Sequence, residues 1–572
     1  MNAGSRFLSR RARRAAAILF PVVACVPAVA QFPVPSDFGG HLYPNNLVIS
    51  RSVYDNRASN VKIGEMLPPG CNLTTAGCPT PSTAQYDGKY PTVWNNVIAD
   101  ANFGVTSAIY LDQISPLGFR INSIAVPTNV NAHGGTADHL VTSFSSKSEI
   151  ALNLSTSGKY LSFMGYVAPV DAVDVSNANT PMVIDPTNPD GLVALRAAAR
   201  VDADGHFTFT ETNAYSGNNG RAAIYNDNVD AFYTAGNAGN GSNPQPNGVV
   251  LGAGAQFIPH TNALEADQNP GTPMPLASFS VTELGDKADK VGKDDNFRGL
   301  TIFNNVVYFT KGSGSNGVDT VYFVDTTGTA CPKGVGLPVA NAPLPASPLS
   351  YNMNTLQTTG LPNNMCILAG FPTVIAKQLP SPPAQAPANT TSYPFGLWFA
   401  NSTTLYVADE GDGYDGTTAS GDIYTHAAAQ PAAGLQKWTF NSQTKQWQFA
   451  YVIQNGLNLG APYTVKGYPT GTNTATGLPW APATDGLRNI TGVVGPDGLA
   501  AIWAVTSTVS GNGDQGADPN KVVVVVDRVA STSLSSAPLD SFREFDDAQF
   551  GEVLRGVSFT PGTDLQEFHL LF

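Results

Sequence analysis

Apolar residues in this chain come in short runs, rich in β-branched and aromatic types, each ended by Gly, Asn, Asp or Ser. "NLVISRSV", "NVVYFTKG", "TTLYVADEG", "AAIWAVTS" and "KVVVVVDR" have this form. Such runs fit a pleated surface and the residues between them supply turns, so the pattern predicts strands joined by hairpins. Apolar positions at helical spacing are scarce. The predicted fold class is all-β.

The runs also follow a longer order. Openings begin at Glu149 ("EIALNL"), Arg221 ("RAAIYN"), Arg298 ("RGLTIF"), Tyr393 ("YPFGLWFA"), Arg488 ("RNITGVV") and Arg555 ("RGVSFT"), 67 to 95 residues apart. After each of the first five come a turn of Asn, Asp and Gly, an aromatic return strand, a third strand and usually a fourth. A four-stranded antiparallel meander repeated in this way predicts a β-propeller. The sixth opening has no continuation. Near the other end of the chain, "NNLVISRSVYDN", "SAIYLDQI" and "GFRINSIAV" read as second, third and fourth strands that lack a first. Six blades are therefore expected, the last built from both ends of the chain, which removes open sheet edges. Seven blades is the alternative count.

Two stretches, 66–95 and 326–392, hold Pro at a density that central strands do not tolerate, and they read as loop insertions. Residues 1–30 read as a signal peptide: a cationic start, an apolar "AAAILFPVVACV" and a small-x-small site, "AVA", at 28–30. Cleavage after Ala30 leaves 31–572 as a single propeller domain, secreted or periplasmic. "VVAC" loosely fits a lipoprotein box, so a lipid anchor at Cys25 is the alternative. No later segment is long and apolar enough to read as a transmembrane helix.

Charged residues make up only 13% of the chain, with Gly, Pro and small polar residues in their place, as in an exported protein with many turns. The net charge of −13 argues against nucleic acid or an anionic membrane as partner. Past the signal peptide there are four cysteines, Cys71, Cys78, Cys331 and Cys366, an even number that points to disulfides. Three pairings are open. Cys71–Cys78 and Cys331–Cys366 are favoured because each pair lies inside one Pro-rich insertion, and no His near either pair favours zinc.

The candidate chemistry sits at the head of the innermost strands. Glu149, Arg221, Arg298, Arg488 and Arg555 occupy equivalent places, with Tyr393 and Pro394 in the remaining unit. A propeller brings such positions to one end of its channel, so four guanidiniums would form a cationic mouth suited to a carboxylate or phosphate. The competing reading is that each Arg pairs with an acid of a neighbouring blade and staples the ring. "DEGDGYDG" packs Asp409, Glu410, Asp412 and Asp415 into one turn, where hard oxygen ligands suit calcium. A solvated acidic turn is the plainer alternative, and no other cofactor is expected. The seven His are scattered, and no GxSxG, HExxH or Walker pattern occurs.

"LYVADEGDG" resembles the strand and turn of NHL-type and gluconolactonase-like propellers, over one blade only. The metal-binding Glu, Asn and Asp set of the gluconolactonase-like family has no clear counterpart in this sequence. "NLVISRSVYDN", "SEIALNLSTSGKYLSFMGYV", "YSGNNGRAA", "GLQKWTF", "GLRNITG" and "LRGVSFTP" together resemble exported bacterial β-propeller proteins of unassigned activity. That resemblance spans nearly all of 31–572 and implies fold and compartment alone. The function read from the sequence is a binding or cell-surface protein, recognising a small anionic ligand or a surface glycan. A propeller hydrolase, lyase or lactonase, with or without calcium, is the alternative.

Overall fold

Each apolar opening becomes the innermost strand of a small antiparallel sheet, and six such sheets stand around a ring. The computed structural model describes residues 40–57, 59–60, 90, 104–128, 140–173, 175–181, 193–237, 254–260, 274–288, 294–312, 316–352, 354–378, 392–414, 423–474, 476–512, 516–535 and 539–565. Blade I comprises Asn153–Leu154, Leu161–Tyr166, Arg196–Val201 and Phe207–Thr212, named from the channel outward. Blade II follows with Gly220–Asn226, Ala231–Gly236, Ala255–Pro259 and Pro275–Ala277. Blade IV holds Pro394–Asn401, Thr404–Asp409, Gly434–Asn441 and Gln446–Ile453, and blade V holds Ala483–Val494, Leu499–Val509, Lys521–Arg528 and Arg543–Asp547.

Blade III departs from the simple pattern. Leu300–Phe303, Val306–Lys311 and Thr320–Val324 are followed by a fourth strand, Met365–Leu368, from within the Pro-rich 326–392 stretch, and Val335–Gly336 pairs with it in parallel. That stretch is therefore not loop throughout. Cys331 and Cys366 form the expected disulfide, with Cα atoms 5.9 Å apart, and it ties the stretch to the fourth strand. The "FNNV" turn that begins the blade has Asn304 and Asn305 at φ 48° and 60°. Positive φ at both central residues is the geometry that suits a two-residue hairpin, and Asn tolerates it better than most residues.

Blade VI closes the ring as the strand pattern predicts. Glu552–Phe559 is innermost, and Leu47–Val53, Thr106–Ile114 and Arg120–Ala125 follow outward. Leu47 faces Phe559, Val48 faces Ser558 and Ile49 faces Val557, before a bulge shifts the register to Arg51 opposite Leu554. Arg51 clasps both chain ends: its Nε donates to Asp112 Oδ2 at 2.6 Å and its guanidinium also reaches Glu552 Oε1 at 2.5 Å. One face of this blade packs Leu47, Ile49 and Val557 against Trp503 of blade V. The other packs Val48, Ile109 and Leu111 against Phe163 and Ala197 of blade I.

The repeated Arg-Gly is explained by how closely the innermost strands approach. A Cβ on Gly299 would stand 2.0 Å from the Phe395 carbonyl oxygen of blade IV, and one on Gly556 would stand 2.6 Å from the Leu152 amide nitrogen of blade I. Both neighbours are backbone and cannot swing away, so only Gly lets the strands sit this near. Elsewhere around the channel, Ala151 N donates to Arg221 O and Asn489 Nδ2 donates to Arg555 O at 2.8 Å. All innermost strands run the same way. Their heads therefore gather at one end of the channel, here called upper, and their first hairpins at the lower end. Among the described residues no helix is long and apolar enough to cross a membrane.

Candidate functional site

Parallel innermost strands bring their heads together, but not as an open mouth. Glu149, Arg221, Arg298, Arg488 and Arg555 are only 0 to 7% exposed, which makes them a buried layer. Half-exposed Ser146, Lys147, Asn219, Asn296 and Tyr393 form the polar rim above. Glu149 is held by Thr142 Oγ1 at 2.7 Å, Ser143 N at 2.9 Å and the Tyr166 hydroxyl. Arg221 donates to Asn296 Oδ1 and to the Phe297 carbonyl, and Arg298 donates to Ser148 Oγ at 2.8 Å. Arg555 points elsewhere, to the Phe144 carbonyl.

The centre of the layer is Glu410, which the sequence pattern assigns to the acidic turn. Its Oε2 accepts from Arg488 Nε at 3.3 Å and lies 3.5 Å from Lys147 Nζ. Its Oε1 is buried with no hydrogen-bond partner. Lys147 is not among the residues that the sequence pattern singles out. It stands two residues before Glu149, and that adjacency was the available signal. The two readings of the arginines therefore meet here: Glu410 of blade IV does staple Arg488 of blade V, yet cations outnumber acids.

The titration behaviour carries the same message. Burial lowers the Lys147 pKa, and Arg298 and Arg488 lower it further against the pull of Glu410. Burial and then Arg298 push Arg221 well below its ordinary value. Burial also lowers Arg298, with Arg488 opposing Glu410 there. Glu410 feels a burial penalty that would raise it, but Lys147, Arg298 and Arg488 together hold it low. Lys147, Arg298 and Arg488 are thus coupled around Glu410, and Arg221 is coupled to Arg298 and to Glu149. Asp319, nearby, is already engaged by Lys311 at 2.7 Å. Among the described residues the layer has a surplus of positive charge.

The acidic turn sends its carboxylates to separate partners. Asp409 accepts from Tyr393 N, Ser392 Oγ, Gln436 Nε2 and Gly411 N at 2.7 to 3.0 Å. Asp412 Oδ2 meets His426 Nε2 at 2.7 Å, and the His426 ring stacks on Tyr414 at 4.2 Å. Asp415 lies outside the described residues, as do Cys71 and Cys78. Asp485, on blade V beside this turn, accepts from Gly413 N at 2.9 Å and from Gln430 Nε2 at 2.5 Å.

Burial, reinforced by Asp412, pushes the Asp485 carboxyl up to about 8. A folded-state pKa above the unfolded value means the folded chain holds this proton more tightly. The stabilisation is complete at low pH and is lost as pH rises through about 8. Asp409 and Asp518, pushed up to about 6, act in the same direction at lower pH. The unfolding temperature is expected to fall as pH rises from about 6 to 8, and Asp485→Asn should flatten that segment of the curve. Calorimetry at several pH values checks this, and an unchanged slope in the variant would refute it.

Below the layer the channel widens to a cavity of about 1030 Å³. Its walls start one to three residues down the strands from the layer, at Ala151, Ala222, Gly299, Gly396, Asn489 and Ser558, and reach the lower hairpins at Ser157 and Asn305.

No protein-family model matches the sequence, and no curated protein is similar to it. Among the solved structures that are similar in part are a peptidase and a viral ectodomain. The acylaminoacyl peptidase of Pyrococcus horikoshii is 6% identical over 77% of this chain, with a TM-score of 0.26. The chain covers 42% of that peptidase, less than half its length. The hemagglutinin-neuraminidase ectodomain of parainfluenza virus 5 is 8% identical over 80% of this chain and 77% of its own, with a TM-score of 0.20. Scores this low carry no argument about function.

Proposed function

We propose that this chain is an exported propeller that binds, rather than transforms, a small anionic ligand such as an acidic sugar at the charged layer. One observation carries the reading: Lys147, Arg221, Arg298 and Arg488 crowd around Glu410 and Glu149 with positive charge to spare. Buried charge without a counter-ion is costly, and an arriving carboxylate would relieve the repulsion. Lys147, at 32% side-chain exposure, is the cation that such a ligand would meet first.

The test uses D-galacturonate, with galactose as the uncharged control, and two substitutions together, Arg298→Met and Arg488→Met. Galacturonate at about a hundred times its dissociation constant should stabilise the native protein by about 2.7 kcal/mol. The double variant should stay folded with a lowered unfolding temperature, because the buried Glu410 keeps only Lys147 as counter-charge, and should lose the response. A large fall in unfolding temperature without any galacturonate effect on the native chain would leave the arginines as staples alone.

A further inference from the structure

The lower channel has a chemistry of its own, which does not depend on the charged layer. We infer that its cavity is a binding site for a neutral, hydroxyl-rich ligand of the short oligosaccharide class. At about 1030 Å³ it is as large as the biggest usual small-molecule pockets. The charged lining residues, Lys159 and Asp564, stand near the lower hairpins, and the walls between them and the layer carry no ionisable side chain.

Four blades supply the polar groups of those walls: Asn153 from blade I, Thr301 from blade III, Thr491 from blade V and Ser558 from blade VI. Thr301, Thr491 and Ser558 each lie three residues beyond an innermost-strand arginine, so the repeat that builds the layer also sets a tier of hydroxyls below it. Among the described residues these three hydroxyls have no hydrogen-bond partner, and they are not sealed from the cavity. A hydroxyl both donates and accepts, which is the complement of a sugar hydroxyl. Trp398 and Ile302 add apolar wall against which the C–H faces of a pyranose can lie. A charged ligand confined to these walls would be desolvated with no opposite charge beside it, whereas a neutral polyol can exchange water hydrogen bonds for those of the tier.

The experiment is calorimetric titration of the full chain after the signal region with maltotriose, cellotriose and mannotriose, and with trigalacturonate as the charged comparison. At least one neutral trisaccharide should bind saturably. Thr301→Val with Thr491→Val, which keeps shape and removes two hydroxyls, should weaken that binding at least tenfold while the circular dichroism and unfolding temperature stay native. Thr491→Phe, which pushes a bulky ring into the hydroxyl tier, should weaken it at least as strongly. Binding of no neutral trisaccharide by the folded protein would overturn the inference, as would binding that both variants leave unchanged. If trigalacturonate alone binds, and Arg298→Met with Arg488→Met removes that binding, the neutral site is overturned while the charged layer stands. Neutral binding that survives loss of the arginines supports the neutral site and leaves the charged layer to the galacturonate test.

Discussion

A chain truncated before Glu552 is expected not to fold as a stable monomer. The missing segment is the innermost strand of blade VI, and Val553, Leu554, Val557 and Phe559 on it are at most 1% exposed. Burying four such side chains contributes about 6 to 12 kcal/mol at the usual ~1.5–3 kcal/mol each, which is as large as the whole stability of a typical domain. Its loss also opens the ring, because Leu47–Val53 then presents an unpaired edge to other molecules. The truncated chain should be recovered as aggregate, or as a soluble species without cooperative unfolding. A synthetic peptide covering 549–565 should restore a cooperative transition when supplied during refolding. A truncated chain that unfolds cooperatively near the native temperature would show that the closure is dispensable.

Lys437→Met is expected to cost about 3–5 kcal/mol, the range for removing one partner of a buried ion pair. Lys437 of blade IV and Asp527 of blade V are both fully buried and meet at 2.8 Å. The ammonium also donates to the Tyr451 hydroxyl at 3.0 Å and to the Arg528 carbonyl at 2.7 Å, while Tyr406 and Tyr451 donate to Asp527. Burial pulls the Lys437 pKa down even with Asp527 beside it, so the pair stands against a desolvation penalty. With Met at 437 the carboxylate remains buried without its counter-charge. Lys437→Met with Asp527→Leu should recover a large part of the loss, because the stranded charge is gone as well. Urea unfolding of the wild type, both single variants and the double variant measures this. A single-variant cost under about 1 kcal/mol would mean that the network does not hold blades IV and V together.

The parts of this molecule legible in its sequence are those made by neighbours in the chain. Strand, turn and return strand are set within about twenty residues by side-chain alternation and by residues such as Asn304 and Asn305 that accept positive φ. The repeat of that unit implied the ring, and the unmatched opening at Arg555 implied its closure against Ile49. The fourth strand of blade III was not legible, because Met365–Leu368 is four residues long and lies among prolines. Nor was the His426–Asp412 contact, since each residue stands alone in its own segment.

The sequence by itself determined an all-β chain of repeated meanders and the presence of an arginine at four of the innermost strands. It favoured the Cys331–Cys366 pairing that the structure shows, whereas Arg488 and Arg555 lie in mid-strand and not at the head. The tertiary structure alone decided that those arginines are buried, that Lys147 and Glu410 join them, and that Arg555 turns aside to Phe144. The reason lies in what each level of structure responds to. Alternation and turn chemistry act through adjacent residues, whereas burial and charge balance depend on how six separate strands converge, and no local pattern records that distance.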